Sequence, residues 1–389
     1  MNILFLLGSF PSYGGTEKVT TVIANNLSLL GHNVHIVSFE QKNEELLGYL
    51  EPNISVHKLS YPVLGFRNYK YLRSIIKSYN INIVINQWCL PFHTSLLINL
   101  AKCGLGCKLV CVLHGIPDKS KRIIVVEDKI NNSNNILCTS WFRLYKKSLN
   151  YFIKKNIQIT YINCDSYVLL SERLFKSFGN YSGISDFRKL KSIENPITIP
   201  VEYKEKIGDN KKKQILYVGR MDMENKRVNR IIEVWENIHS QYPQWELILV
   251  GDGPHKPLLE KYVEDKSISN VTFVGFIKEE PIQFYKNASI FMLTSDLEGF
   301  GLVLIEAMSY GVVPIVYGSY ESVYDIIDDN VNGFITPVPY SKTFTIEKLK
   351  LLMDNNSKRI EMAHQAILKS KQYAVNSIID KWEKLFTSI

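Results

Sequence analysis

Two carboxylates eight positions apart, Glu298 and Glu306, flank the most chemically suggestive stretch of the chain, SDLEGFGLVLIEAMSYG at 295–311. It begins as a loop with Asp296, Glu298 and two glycines around Phe300, then runs into the apolar segment 302–308. Gly299 and Gly301 allow tight backbone geometry. Gly311 stands where a helix C-terminal glycine belongs. The pattern predicts a loop and a short helix starting near Phe300. The unpaired N–H groups and positive dipole end of such a helix suit a phosphate. Carboxylates there are suited instead to accepting hydrogen bonds from hydroxyls, as on sugars. On these residues alone, a glycine-containing connection with incidental acids stays open.

Other residues carry compatible chemistry. Gly14 and Gly15, in GGTE at 14–17, sit on a first βα turn where backbone N–H groups can approach a phosphate. His114 ends an apolar strand, and a polar ring at the carboxyl end of a parallel strand points into the crevice where α/β ligands bind. Gly219 and Arg220 close the strand QILYVGR, and Lys226 and Arg227 follow. Such cations can neutralise a diphosphate without a metal, and no DxD pair stands at a strand end to hold one. Gly251-Asp252-Gly253-Pro254 reads as turn chemistry. Cys103, Cys107 and Cys111 are spaced by four, but without a His/Cys partner set they are expected as buried, reduced thiols in a reducing compartment. In 141–155, Trp141, Leu144, Tyr145, Leu149, Phe152 and Ile153 are expected on one helical face, with Arg143, Lys146, Lys147 and Lys154 mostly opposite. That fits either a domain-surface helix or a basic amphipathic helix at a membrane interface.

These residues need elements to position them. The 389 residues, 46% hydrophobic, suffice for two domains with real cores. Residues 1–200 hold 23 Lys/Arg against 12 Asp/Glu, a net +11, and the remainder hold 23 against 26, a net −3. The first half is therefore the one expected to meet an anionic partner, such as a membrane surface. No nucleic-acid-reading module appears, so nucleic acid is not expected as that partner. MNILFLLGSF lacks a basic leader and reads as a buried strand rather than a signal peptide. Apolar runs at 3–7, 34–39, 81–86, 108–115 and 167–171 alternate with helical stretches. After a linker around 194–200 and 208–214 the pattern restarts with runs at 214–220, 245–254, 270–276, 289–295 and 312–318. Alternation of this kind predicts doubly wound parallel sheets.

Taken in order, GGTE (14–17), LHG (113–115), LLSE (169–172), ENP (194–196), YVGR (217–220), LVGDGP (249–254), VTFVGF (271–276), EGFGLVLIEAMSYGVVP (298–314) and VNGF (331–334) resemble the retaining GT-B glycosyltransferases of family 4. The resemblance implies an α/β GT-B fold of two facing Rossmann-like domains with a cleft between them. Residues 1–198 would bind acceptor and 199–370 the nucleotide-sugar donor, with 371–389 a C-terminal helix packing back on the first domain. It implies that Glu306 holds the donor ribose, Glu298 the donor sugar, and that Phe300, Gly301 and Leu302 offer backbone N–H groups. Arg220 and Lys226, beside Gly219, would stabilise the departing diphosphate, with the Gly14–Gly15 turn closing over it. Ile277 would touch the base and His114 the donor sugar. The implied reaction moves a hexose or N-acetylhexosamine from a UDP-sugar to a glycan or polyprenyl-diphosphate-linked acceptor, with retention and without metal or cofactor. The chain is most similar to enzymes of bacterial surface-polysaccharide synthesis, which places it in the cytoplasm or at the inner membrane face. A UDP-sugar 2-epimerase of the same fold and a non-catalytic glycan-binding module are the alternatives. The Arg220–Lys226 gap is one residue longer than in many members and Arg227 replaces a common glycine. Either Lys226 or Arg227 could therefore be the second cation.

Overall fold

The computed structural model describes residues 1–131, 133, 135–201 and 211–389, with Lys121 described by its backbone alone. Positions 208–210 of the linker expected at 208–214 lie outside them. The chain divides into two compact units, Met1–Thr198 with Val375–Ile389, and Ile199–Ala374.

The first unit holds seven strands: β1 (Asn2–Ser9), β2 (Asn33–Glu40), β3 (Ser55–Lys58), β4 (Ile83–Asn86), β5 (Lys108–Leu113), β6 (Ser166–Leu169) and β7 (Leu190–Ser192). They pair in parallel in the order β3-β2-β1-β4-β5-β6-β7. A parallel sheet covered by helices on both faces demands unbroken apolar strands, and Ile3, Leu4, Phe5 and Leu6 are fully buried. The strand order reverses direction between β1 and β4. The loops after these strands diverge there and leave a crevice at their carboxyl ends. The Gly14–Gly15 turn and Gln87 follow β1 and β4 at that edge, and His114 follows β5. The helix Gly15–Leu29 starts at the turn and buries Val19, Ile23, Ala24 and Leu27. The helix Val375–Ser388 packs against it, burying Ile378, Ile379, Trp382, Leu385 and Phe386. Its Glu383 meets His32 Nε2 at 3.0 Å, and Lys381 meets Glu194 at 2.5 Å.

The structure corrects two expectations in this unit. Cys107 and Cys111 are buried, but Cys103 is exposed. It caps the helix Phe92–Lys102, where Gly104 and Gly106, both at positive φ, carry the chain over the surface. The segment 141–155 lies within one helix, Ile136–Asn163, started by Asn135, whose side chain accepts from the N–H groups of Leu137 and Cys138. Its apolar residues do not share one face. Leu149 and Ile153 are half-buried, whereas Trp141, Leu144, Tyr145 and Phe152 are exposed. The reason is that the apolar residues circle more of the helix than the unit covers. Among the described residues no helix is long and apolar enough to cross a membrane.

The second unit holds β8 (Gln214–Val218), β9 (Glu246–Val250), β10 (Val271–Gly275), β11 (Ile290–Leu293), β12 (Val313–Tyr317) and β13 (Phe334–Thr336). They are parallel in the order β10-β9-β8-β11-β12-β13. The reversal falls between β8 and β11, so the Gly219–Arg220 turn and the loop 294–301 leave the sheet side by side. Gly251 and Gly253 do more than turn the chain. A Cβ on Gly251 would lie 1.9 Å from Gly219 O, and one on Gly253 2.4 Å from Met221 O. Only glycine lets the two turns touch, and their contact is fixed by Gly219 N–H to Val250 O and Met221 N–H to Asp252 O, both 2.9 Å.

Candidate functional site

In the second unit the predicted helix begins at Leu302 and ends at Ser309, two residues later than expected. Gly301 caps it in the left-handed region, φ +94°, a conformation that favours glycine. In its first turn the Leu304 N–H donates to Gly301 O at 2.9 Å, and a helix start leaves the N–H groups ahead of it without partners in the helix. Phe300 is buried and packs edge-on against Tyr373, which anchors the loop through its side chain.

The loop is zipped to the segment after β8. Lys226 Nζ donates to Glu298 Oε1 at 2.5 Å, and Ser295 Oγ donates to the same oxygen at 2.8 Å. Asp296 accepts from Arg227 Nε at 2.5 Å and from Arg230 Nη1 at 2.6 Å. Asp296 N–H reaches Asn225 O at 2.8 Å, and Thr294 Oγ1 reaches Arg227 O at 3.0 Å. Asp222 turns the segment by accepting from the N–H groups of Glu224 and Asn225. The structure therefore separates the two cations left open by the sequence. Lys226 goes to Glu298, the residue expected at the sugar, while Arg227 is committed to Asp296 and Met223 O. Arg227 has a φ of +52°, which explains why a glycine is at home at that position. Arg220 is exposed at the end of β8, beside Gly219.

Glu306 is buried on the helix and accepts from Tyr285 Oη at 3.0 Å. Tyr285 stacks on Tyr310. Burial and the adjacent Glu306 carboxylate hold the Tyr285 phenol well above its ordinary range, so it stays a donor. Ile277 is half-buried just after β10. The loop 294–301 is also bound from behind, by Ser319 Oγ to Ser295 O at 2.6 Å and Ser322 Oγ to Gly299 O at 2.9 Å.

In the first unit, His114 Nε2 faces Gln87 Oε1 at hydrogen-bond distance. A carbonyl oxygen accepts, so Nε2 carries the proton and Nδ1 is left as an acceptor. Burial pushes the imidazole down to about 4, which keeps it neutral near pH 7. The Gln87 amide nitrogen is buried with no hydrogen-bond partner among the described residues. Gln87 lines a pocket of about 290 Å³ together with Gly8, Glu17, Glu40, Tyr61 and Trp88. Trp88 lies under Gly8, where a Cβ would meet the indole at 2.9 Å. Burial raises the Glu17 carboxyl above the ordinary carboxylate range. The expected Gly14 and Gly15 are exposed, at the N-terminus of the helix that carries Glu17.

Several of these residues carry no signal in the sequence. Asp296 is visible there only as a loop acid, and Arg230 as one of many helix cations. Tyr285, Gln87 and Trp88 lie in segments whose apolar content reads simply as core. Tyr320 falls in SYESVYDII, which departs from the usual glycine-rich turn. It is buried against Gly301, and its hydroxyl has no hydrogen-bond partner among the described residues.

Two all-parallel Rossmann-like units in tandem, the second presenting a charged loop and a helix start at its strand reversal, are the architecture of the GT-B fold. The chain belongs to the family described as glycosyltransferase family 4, matched over residues 13–199, and glycosyl transferases group 1, matched over 201–369. It is 25% identical to an uncharacterized glycosyltransferase of Haemophilus influenzae, covering 97% of this chain and 98% of that one. It is 23% identical to the GalNAc-alpha-(1->4)-GalNAc-alpha-(1->3)-diNAcBac-PP-undecaprenol alpha-1,4-N-acetyl-D-galactosaminyltransferase of Campylobacter jejuni, covering 100% and 99%. Among solved structures, Alr3699/HepE of Anabaena, in complex with UDP and glucose, superposes with a TM-score of 0.73 at 18% identity, covering both chains in full.

Proposed function

We propose that this enzyme transfers a hexose or N-acetylhexosamine from a UDP-sugar, with retention and without a metal, to a lipid-linked glycan in cell-surface polysaccharide synthesis. The observation that carries the reading is the Lys226–Glu298 pair in the loop that leads into the helix carrying the buried Glu306. In this reading Glu306 takes the ribose hydroxyls and Glu298 the donor-sugar hydroxyls. Arg220, Lys226 and the N–H groups of Phe300, Gly301 and Leu302 take the charge that grows on the diphosphate as its bond to the anomeric carbon breaks. Fixed charges and dipoles aimed at a leaving group lower the barrier most, because they need no reorganisation as the bond breaks. Neither Glu298 nor Glu306 acts as a covalent nucleophile. The acceptor oxygen attacks from the face that the nucleotide leaves, and its proton passes to the departing phosphate.

Gly14 and Gly15 are assigned a diphosphate contact, Ile277 a contact to the base, and neutral His114 a contact to the donor sugar. The pocket at Glu17, Glu40, Gln87 and Trp88 offers an acceptor sugar an aromatic wall and hydroxyl acceptors. Two relatives support the pathway: the Campylobacter protein named for an undecaprenol-linked glycan, and an amylovoran biosynthesis glycosyltransferase of Erwinia amylovora, 21% identical over 98% of this chain. The UDP and glucose bound by the Anabaena structure support the donor. The test is turnover of a panel of UDP- and GDP-sugars, read by mass, with a chelator present throughout. Turnover by the wild type that is lost in Arg220→Ala and Glu298→Ala supports the reading. No donor consumed by the wild type, or a new free hexose formed without acceptor, refutes it.

A further inference from the structure

We propose that the pocket of the first unit selects an acceptor whose terminal sugar is a neutral N-acetylhexosamine, and that Gln87 and Ser9 read its acetamido group. The pocket lies at the carboxyl ends of β1 and β4, where the strand order reverses. Gln87 is only 5% exposed. Its backbone N–H is spent on Leu6 O at 2.9 Å, and its Oε1 on His114 Nε2. That leaves the amide nitrogen as the group it offers the pocket, without a partner among the described residues. Ser9 Oγ, on the same lining, is also buried and without one. A buried polar group left unpaired forfeits its hydration for nothing, so two in one pocket of about 290 Å³ mark places for a ligand's atoms. Trp88 forms a fixed wall beside them. Its indole packs on Gly8, with the rings of Phe39 and His93 against it at interplanar angles of 62° and 88°.

The chemistry of the lining commits the occupant. Glu17 and Glu40 offer oxygens to sugar hydroxyls. The Glu17 carboxyl folds back over Gly14, where a Cβ would lie 2.1 Å from Oε2, so the glycine makes room for it. No Lys or Arg lines the pocket among the described residues, and nearby Lys42 is paired with Glu40 at 2.6 Å. A uronic acid or a sugar phosphate would therefore meet like charge without compensation. A secondary amide suits the two unpaired groups. Its carbonyl accepts from Gln87 Nε2, its N–H donates to Ser9 Oγ, and its methyl meets Leu7 and Trp88. A hydroxyl in its place presents one atom to both groups and nothing to the apolar wall. Sites built to hydrogen-bond a substituent reject the analogue that lacks it.

The inference rests on the acceptor role given to this pocket under the proposed function, but its test needs no donor. Binding of nitrophenyl α-glycosides of N-acetylgalactosamine, N-acetylglucosamine, galactose, glucose and glucuronic acid to the full chain is measured by saturation-transfer NMR titration. At least one N-acetylhexosaminide is expected to bind about tenfold or more tighter than its parent hexoside, with the acetamido methyl among the most saturated protons, and the glucuronide most weakly. Gln87→Glu keeps the oxygen that faces His114 but no longer donates, and it removes the preference. Ser9→Ala reduces it, and circular dichroism shows whether each variant is folded. Wild-type protein that binds none of the probes, binds N-acetylhexosaminides no better than hexosides, or keeps its preference in both variants overturns the proposal. Donor turnover by that same protein leaves the transferase reading standing. Conversely, selective binding without any donor turnover retires the transferase reading and leaves the pocket as an N-acetylhexosamine site.

Discussion

The clearest perturbation is removal of the Asp296 carboxylate. It accepts from Arg227 at 2.5 Å and Arg230 at 2.6 Å, and all three side chains are between 19% and 28% exposed. Hydrogen bonds to charged groups are each worth about 1.5–3 kcal/mol, and water at this exposure screens part of that. Asp296→Ala loses both contacts and leaves two half-buried guanidinium groups facing each other, for a cost of about 3 kcal/mol. Arg227→Gly loses its contact to Asp296 and the longer one to Met223 O, and relieves a left-handed residue, whose conformation costs a non-glycine residue about 1 kcal/mol. Its net cost is about 1 kcal/mol. At about 2–4 °C per kcal/mol for a unit of this size, Asp296→Ala lowers the melting transition by about 6–12 °C and Arg227→Gly by about 2–4 °C. The assay is scanning calorimetry of the full chain beside donor turnover. Arg227→Gly retains turnover and Lys226→Ala does not, because only Lys226 reaches Glu298. An Arg227→Gly variant as unstable as Asp296→Ala, or as inactive as Lys226→Ala, refutes the separation of the two cations.

Three further outcomes are expected. Tyr285→Phe removes the hydroxyl contact to buried Glu306 and costs about 1–2 kcal/mol; isothermal titration with UDP then shows weaker binding, and unchanged affinity with unchanged stability counts against a role for that contact. His114 is held down to about 4 from an ordinary 6.5, so the unfolded chain takes up a proton that the folded chain refuses between those values. Its contribution is therefore complete above pH 6.5 and lost as pH falls toward 4, and His114→Gln flattens the fall in urea midpoint over that window; His35, also held at about 4, accounts for part of the remaining slope. Gly251→Ala drives a Cβ into Gly219 O at a φ of +128°, with a cost on the order of 3 kcal/mol or more; soluble, active Gly251→Ala protein with a native melting point contradicts the close packing of the two turns.

The sheets were legible because both faces of each strand are covered, which forces apolar runs such as 3–7 and 214–218 that few other structures produce. The order β2-β1-β4 was not, because strand order is written in crossovers rather than in composition. Glu298 and Glu306 were visible from a glycine-spaced loop and a helix, a local pattern. Their partners were not, because Lys226 lies 72 positions from Glu298 and Tyr285 lies 21 from Glu306. That Lys226 and Arg227 reach different acids was not legible either, because it depends on the left-handed backbone of Arg227, which turns the two adjacent side chains apart. Helix 136–163 misled for a different reason. Periodicity shows that an apolar face exists but not whether a neighbour covers it, and here the apolar residues serve two sides.

The helix Val375–Ser388 has a consequence for how the enzyme is made. It completes the first unit, yet it is synthesised only after the whole of Ile199–Ala374. At 5–20 residues per second the ribosome needs about 10–35 s to cross that interval. Throughout it, the side of the helix Gly15–Leu29 that later receives Trp382, Leu385 and Phe386 stays bare, while the second unit is free to fold. The nascent chain thus carries an open apolar seam on its older half, and a helix made only after the second unit is the one that seals it.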